Sequence, residues 1–470
     1  MAKRKDETTI ESSQFGNFKE FLSSQASKKD PMPDITTTIM QYPTGFMYLD
    51  YMAGSYSTVY DDETEKPIYT YHNVGITDGS VNVLISKSQG GKTSLAISMG
   101  SAIIEPWITK SILKRWPDVR KDVKDSMMSG RPFIEILDTE KTLPINYVKK
   151  IVSYTNPMLD KYVMINPITT DIEMMKCVEK HVNYKIHTMK KVCMPMNDIF
   201  DKPIYNYPPT ILIIDSMSQL VISETDGVGT DVYEKMIQNT AGARRAKIIS
   251  ALYSTLVNYA KKYNIIIFSI NHINKMPAMM GIPVKQYRGL RPGETIGGGE
   301  RAIYLASTIL RLDVIKSIGG QSASSVQLGD GVSGFIAIAK WIKSKSNSKD
   351  NSCQLVYTNR FGYDRLLSLL WYGKETGDLS RSGNFFYLDR YPTIKFTMKN
   401  AREVFEEHPE MLSALYTQFR DKCSSLLDSA GESIKNKSDV ITLDDDDVSD
   451  SSEFSIISND NWIPSGSQFI

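Results

Sequence analysis

The chain has 470 residues, 41% of them hydrophobic and 23% charged, with 55 Lys and Arg against 54 Asp and Glu. These proportions describe a soluble globular protein with room for one large core and a smaller satellite unit. No apolar run approaches the roughly 18–20 residues that span a bilayer, and no apolar stretch follows the opening MAKRKDETT to make a secretory signal.

The balance of charge conceals an asymmetry. Residues 244–301 carry ten Lys and Arg against two acids, Glu294 and Glu300, whereas residues 436–470 carry eight acids and only Lys437. An internal basic stretch that faces phosphate, opposed by an acidic tail, fits this distribution. Cys177, Cys193, Cys353 and Cys423 are scattered, so they read as reduced thiols in a cytosolic compartment and not as a zinc site.

In chain order, residues 1–38 form a polar arm whose apolar patch is Phe15, Phe18, Phe21 and Leu22. The patch either docks on a neighbour or packs on itself. From 39 to 373 short apolar strands, among them 83–85, 211–214 and 265–270, alternate with longer helical patterns. That alternation predicts an α/β core with a mainly parallel central sheet and helices on its faces. Residues 176–209 look irregular, an elaboration outside the sheet, with His181 and His187 on a solvated surface. Residues 374–435 are expected to form a small α/β C-terminal domain. Its second half sets Leu412, Leu415, Tyr416, Phe419, Cys423 and Leu426 at helical steps. Residues 436–470, with Asp at each of 444–447, read as an acidic disordered tail.

The strongest local signal is a β-branched strand ending at Ser86, then Lys87, Ser88, Gln89, Gly90, Gly91, Lys92 and Thr93, then a helical stretch opening at Ser94. Small residues let backbone N–H groups converge on phosphate oxygens at the positive end of a helix. Lys92 then neutralises β/γ-phosphate charge and Thr93 holds Mg²⁺. Ser86 stands where the GxxxxGK[ST] pattern begins with Gly. A second apolar strand ends in Asp215, either a further Mg²⁺ anchor acting through water or a cap for the next helix. A third leads to Asp138, Thr139 and Glu140, and Glu140 is the candidate general base for an attacking water. These features describe a nucleoside triphosphatase with a bound Mg²⁺, and leave open what the energy drives.

The series of motifs resembles the RecA family over roughly residues 40–430. Thr44, Gly45, Leu49 and Asp50 are similar to that family's entry into its core. Asp138, Glu140 and Leu143 resemble its catalytic-glutamate segment, and Tyr147 lies where an adenine-stacking Tyr is found. Asn271 and His272 resemble the end of its nucleotide-sensor strand. The Asn-His pair and the glycines 297–299 look like the phage UvsX-like branch. Lys343 and Lys345 resemble the two lysines that reach the γ-phosphate bound by an adjacent subunit. Residues 400–410 and the helix after them are similar to the family's small C-terminal domain.

The resemblance implies a RecA-type P-loop ATPase core, with ATP as the nucleotide. It implies filaments on single-stranded DNA, homologous pairing with double-stranded DNA and strand exchange, with single-strand-binding and loader proteins as partners, in a host cytoplasm. Two stretches then stand as DNA-binding loops. One leads into Arg244, Arg245 and Lys247, a cluster that reads equally as a solvated helix face. The other carries Lys275, Met279, Met280, Lys285, Tyr287, Arg288 and Arg291. Cations attract phosphate without reading sequence, and flexible apolar or aromatic side chains stack on unpaired bases. The rival readings are a RecA-fold hexameric helicase and a DNA-coating filament protein that binds ATP without hydrolysing it.

Overall fold

The computed structural model describes residues 41–60, 67–109, 133–189, 191–197, 203–222, 239–275, 290–296, 299–320, 325–329, 331–347, 351–426 and 428–429. A 10-stranded sheet organises them. Its strands are β1 (Val81–Ser86), β2 (Ile134–Asp138), β3 (Val163–Pro167), β4 (Thr210–Asp215) and β5 (Ile265–Lys275). They continue with β6 (Glu294–Ile296), β7 (Thr308–Ile318), β8 (Gly334–Ser344), β9 (Ser352–Thr358) and β10 (Gly362–Asp364).

Across the sheet the order is β10, β9, β8, β7, β1, β5, β4, β2, β3, with β6 paired to β5. From β7 to β3 every neighbour is parallel. Strands β8, β9 and β10 extend one side as antiparallel hairpins, and β6 is antiparallel to β5. The mainly parallel sheet expected from the alternation is present.

The helices are α1 (Met47–Ala53), α2 (Lys92–Ile108), α3 (Ile145–Thr155), α4 (Asp171–His187) and α5 (Asn239–Tyr263). They are followed by α6 (Gly299–Leu305), α7 (Arg365–Thr376), α8 (Ala401–Glu407) and α9 (Glu410–Cys423). The central strands are apolar on both faces because helices cover both. On β4, Ile211 and Ile213 join α1, α2, α3, α7 and α9 in one buried cluster. Leu212 and Ile214 join α4, α5 and α6 in the other. Helix α2 lies close on β4: a Cβ at Gly100 would stand 2.8 Å from Cγ2 of Ile211.

Strands Ser380–Ser382, Phe385–Leu388 and Tyr391–Phe396 form a small antiparallel sheet beside α8 and α9. Leu412, Leu415, Tyr416, Phe419 and Cys423 of α9 are buried as their spacing predicts. Leu426 falls beyond the helix in the 3₁₀ turn Ser424–Leu426. The apolar cluster runs unbroken from α1 into this sheet and α9. The expectations for the arm at 1–38 and the tail at 436–470 fall outside the described residues.

The reading of 176–209 as irregular is corrected. Its first third belongs to α4, whose start is fixed by a capping box. Glu173 donates its N–H to Oγ1 of Thr170 at 3.2 Å, and the Glu173 carboxylate accepts from Thr170 N–H at 3.0 Å. Further on, Val192–Asn197 and Pro203–Asn206 form an antiparallel hairpin. His181 is 3% exposed, not solvated, and its Nε2 meets the Glu135 carboxylate directly. His187 is exposed, as expected. Its pattern is obscured in the sequence because the buried stripe of Met174, Cys177, Val178, His181, Val182 and Lys185 puts His181 and Lys185 where apolar residues are expected. Among the described residues no helix is long and apolar enough to cross a membrane.

Candidate nucleotide site

Strand β1 delivers Ser86, and six residues later α2 begins at Lys92. Between them Gln89 and Gly91 take left-handed conformations, φ 62° and 71°. Gly91 is required twice over, since a Cβ there would also lie 2.9 Å from the Tyr363 ring. Lys87, Ser88 and Gln89 are exposed, while Gly90 is buried and its carbonyl accepts from Tyr363 Oη at 3.0 Å. No side chain caps α2 and no acid occupies its first turn. Its leading N–H groups are therefore left for an anion.

Lys92 is 5% exposed, and its Nζ donates to Ser86 Oγ at 3.0 Å and to the Lys87 carbonyl at 3.1 Å. Burial lowers its pKa, and the nearby Asp215 and Glu140 carboxylates oppose that shift. Ser86 thus supplies a resting acceptor for Lys92. Its Oγ would stand 2.3 Å from a Cβ at Gly90, so Ser86 and Gly90 fit each other.

The parallel register brings the partners together. Ser86 lies opposite His272 on β5, Ile270 of β5 opposite Asp215, and Asp215 opposite Asp138. Thr93 Oγ1 donates to Asp215 Oδ2 at 2.6 Å. Asp215 is pushed up to about 6, chiefly by burial; the Thr93 donation opposes this, and Glu140 and Asp138 add to it. A hydroxyl and a carboxylate oxygen held together beside a lysine suit the oxygen preference of Mg²⁺, so Thr93 and Asp215 fit a magnesium ion and Lys92 a phosphate.

Glu140 follows β2 with its side chain 38% exposed, its Oε1 3.7 Å from Nε2 of His272. Burial and the Lys92 charge lower the His272 pKa, and Glu140 raises it. Asp138, two residues before Glu140, forms the turn at the exit of β2. Its carboxylate accepts from the N–H groups of Lys141 at 2.8 Å and Leu143 at 3.0 Å. Tyr147 of α3 is half-buried, its hydroxyl 3.3 Å from that of Tyr357. Tyr357 stacks on Phe335 and meets Tyr363 edge-on, so an aromatic wall stands beside Gly91. Ser94 is fully buried against Gly362.

Lys343 and Lys345 are not brought to this centre. Lys343 lies opposite Ile309 of β7, which lies opposite Val83, three residues before Ser86. It points to the other end of the sheet, where Nζ donates to the carbonyls of Ile303 and Tyr304, both at 2.7 Å. Burial, with Lys345 nearby, lowers its pKa to about 8. Lys345 is exposed.

Of the DNA-binding candidates, Arg244, Arg245 and Lys247 sit near the start of α5, with Lys247 exposed. Lys275 ends β5, opposite Glu294 of β6. Met279, Met280, Lys285, Tyr287 and Arg288 lie outside the described residues. Arg291 is 63% exposed and 3.7 Å from Asp313. A buried cation lies close by. Arg311 holds Glu294 at 2.6 and 3.2 Å and Asp313 at 2.7 and 3.3 Å.

No family model matches the chain. It is similar to "Protein RecA" of Thioalkalivibrio sulfidiphilus (strain HL-EbGR7), with 24% identity over 227 residues. The match covers 48% of this chain and 58% of that protein. The likeness is distant and partial, and lies at the level of the RecA family.

Proposed function

We propose that this chain is an ATP-dependent DNA recombinase that forms filaments on single-stranded DNA and exchanges strands with a homologous duplex. One observation carries the reading. Lys92, Thr93, Asp215, Glu140 and His272, from four neighbouring parallel strands or their exits, meet at one end of the sheet. The similarity to a RecA protein supports the DNA-directed use of that centre.

Backbone N–H groups of 88–93 and Lys92 would hold the ATP phosphates, with Tyr147 against the base. Thr93 and Asp215 would hold Mg²⁺, which supplies charge neutralisation at the phosphates. Glu140 accepts a proton from the water that attacks the γ-phosphorus, the bond to the bridging oxygen breaks, and ADP and phosphate leave. His272 lies on the strand that runs on through Lys275 into the segment carrying the second set of DNA-binding candidates. Nucleotide state and DNA affinity are thereby linked. Lys343, whose Nζ lies at the opposite end of the sheet from its own P-loop, and the exposed Lys345 would serve the site of a neighbouring copy, as a helical filament requires.

Arg244, Arg245, Lys247, Lys275, Lys285, Arg288 and Arg291 attract the DNA backbone, while Met279, Met280 and Tyr287 pack on unpaired bases. The reading extends to a UvsX-like phage protein that works in the host cytoplasm with single-strand-binding and loader proteins.

The test is strand exchange between a circular single strand and a homologous linear duplex with ATP, comparing the wild-type chain with Lys92→Ala. Joint molecules from the wild type alone support the reading. Hydrolysis on single strands without joints, even with single-strand-binding and loader proteins added, would replace it with a helicase or a coat protein.

A further inference from the structure

We infer that Thr139 is a positioning residue that sets the Glu140 carboxylate by tying the exit of β2 to the exit of β4. The inference rests on the assignment of Glu140 as the base.

Sheet register between β2 and β4 ends at Asp138 opposite Asp215. One residue later two polar ties replace it. The Thr139 N–H donates to the Asp215 carbonyl at 2.8 Å. The Thr139 hydroxyl stands 2.7 Å from the Ser216 N–H and 3.0 Å from the carbonyls of both Asp215 and Ser216. A hydroxyl carries one proton, so it accepts from Ser216 N–H and donates to one carbonyl at a time. Ser216 is 0% exposed, so water cannot replace that acceptor.

Among the described residues the Glu140 side chain makes no hydrogen bond or ion pair beyond the 3.7 Å approach to His272. Its position is therefore set by its backbone, held on one side by Thr139 and on the other by Asp138, whose carboxylate shapes the turn through Lys141 and Leu143. Residues 138–140 thus divide the work: Asp138 fixes the turn, Thr139 fixes the turn to β4, and Glu140 is left free to meet water. A misplacement of about 1 Å costs on the order of 10²-fold in a positioned reaction, so one hydroxyl at this point bears on the rate.

Two readouts test this, one of them without nucleotide. In the nucleotide-free protein, NMR titration of His272 reports the nearness of Glu140, because that carboxylate raises the His272 pKa. Glu140→Gln sets the full downward displacement. Thr139→Val is expected to move His272 part of the way in the same direction, and Thr139→Ser to restore the wild-type titration. In ATP hydrolysis, Thr139→Val is expected to lower kcat about 10- to 100-fold with KM within about twofold, and Thr139→Ser to recover it. Should the Val variant not fold, Thr139→Ala removes the same hydroxyl and carries the same expectation.

The inference is overturned if the Val and Ala variants leave both His272 and kcat as in the wild type. It is equally overturned if they raise KM alone, or if Ser is as damaging as Val. Failure of the underlying assignment looks different: Glu140→Gln itself would then retain turnover.

Discussion

Strand β2 and its exit support two Glu–His pairs built from the same residue types to opposite ends. Glu135 and His181 are 4% and 3% exposed and in direct contact. The other oxygen of Glu135 accepts from Asn166 at 3.2 Å, and Phe133 lies 4.4 Å from the imidazole, centroid to centroid. Both carboxylate oxygens of Glu135 have a partner, and both side chains are buried away from water. Glu140 and His272 are 38% and 30% exposed and 3.7 Å apart, too far for a hydrogen bond. The first pair braces α4 against the sheet. The second is loose enough for water to enter, which a carboxylate needs if it is to take a proton and give it back. Residue type does not separate the two pairs; burial and slack do.

The largest effect that would break this contrast is in catalysis. Glu140→Gln is expected to lower DNA-stimulated ATP turnover by about 10²- to 10⁴-fold, the usual range for a lost general base. Because the side chain is exposed, its stability cost should stay within about 0.5 kcal/mol. Parallel ATPase and thermal-melting measurements check both halves. A large drop in melting temperature would mean that the second pair is a brace as well.

His181→Leu is the complementary case. It fills the space but leaves Glu135 without its main buried partner, at a cost of about 3–5 kcal/mol. Chemical denaturation should show that loss while kcat of the folded fraction is unchanged. If kcat fell together with stability, the two ends of β2 would be coupled, and the division drawn here would fail.

Legibility in the sequence follows the same line between local and distant contacts. The strand, small-residue turn and helix start around Lys92 and Thr93 were readable because they are contiguous, and the candidates Asp215 and Glu140 because one ends an apolar strand and the other lies two residues beyond one. The alternation of strands and helices announced the sheet. By contrast, Thr139 meets Ser216 from 77 positions away, and His181 meets Glu135 from 46. Nothing in the spacing of either residue signals its partner. Arg311 shows the same limit from the side of charge. Tallying acids and bases along 244–301 counts Glu294 as opposition to the basic stretch, whereas the fold pairs it with a cation from β7. The stripe of α4 was masked because His181 and Lys185 occupy positions where apolar residues are expected. Lys185 is 1% exposed and donates to the carbonyls of Pro208 and Asn264.

The smallest expected effect concerns Asp215, which shares features of both pairs. It is only partly buried, unlike Glu135, and lies in the candidate nucleotide site, where desolvation still pushes its pKa up to about 6. An ordinary aspartate titrates near 4, so the folded state holds this proton more tightly than the unfolded chain does. Its favourable contribution to stability is therefore fully present below about pH 4 and is lost as pH rises through about 6. At pH 7 the nucleotide-free protein carries a poorly solvated carboxylate at a cost on the order of 3 kcal/mol. Asp215→Asn, which keeps an oxygen for Thr93 to donate to, should remove that cost. The variant is expected to melt higher than the wild type at pH 7 and to match it near pH 4, while losing Mg²⁺-dependent hydrolysis. Added Mg²⁺ should stabilise the wild type above pH 6 and do little below it, because only the ionised carboxylate attracts the cation. A melting temperature for Asp215→Asn that tracked the wild type across that whole range would show that solvent already relieves the charge. Asp215 would then belong with the open Glu140 pair and not with the buried Glu135 pair.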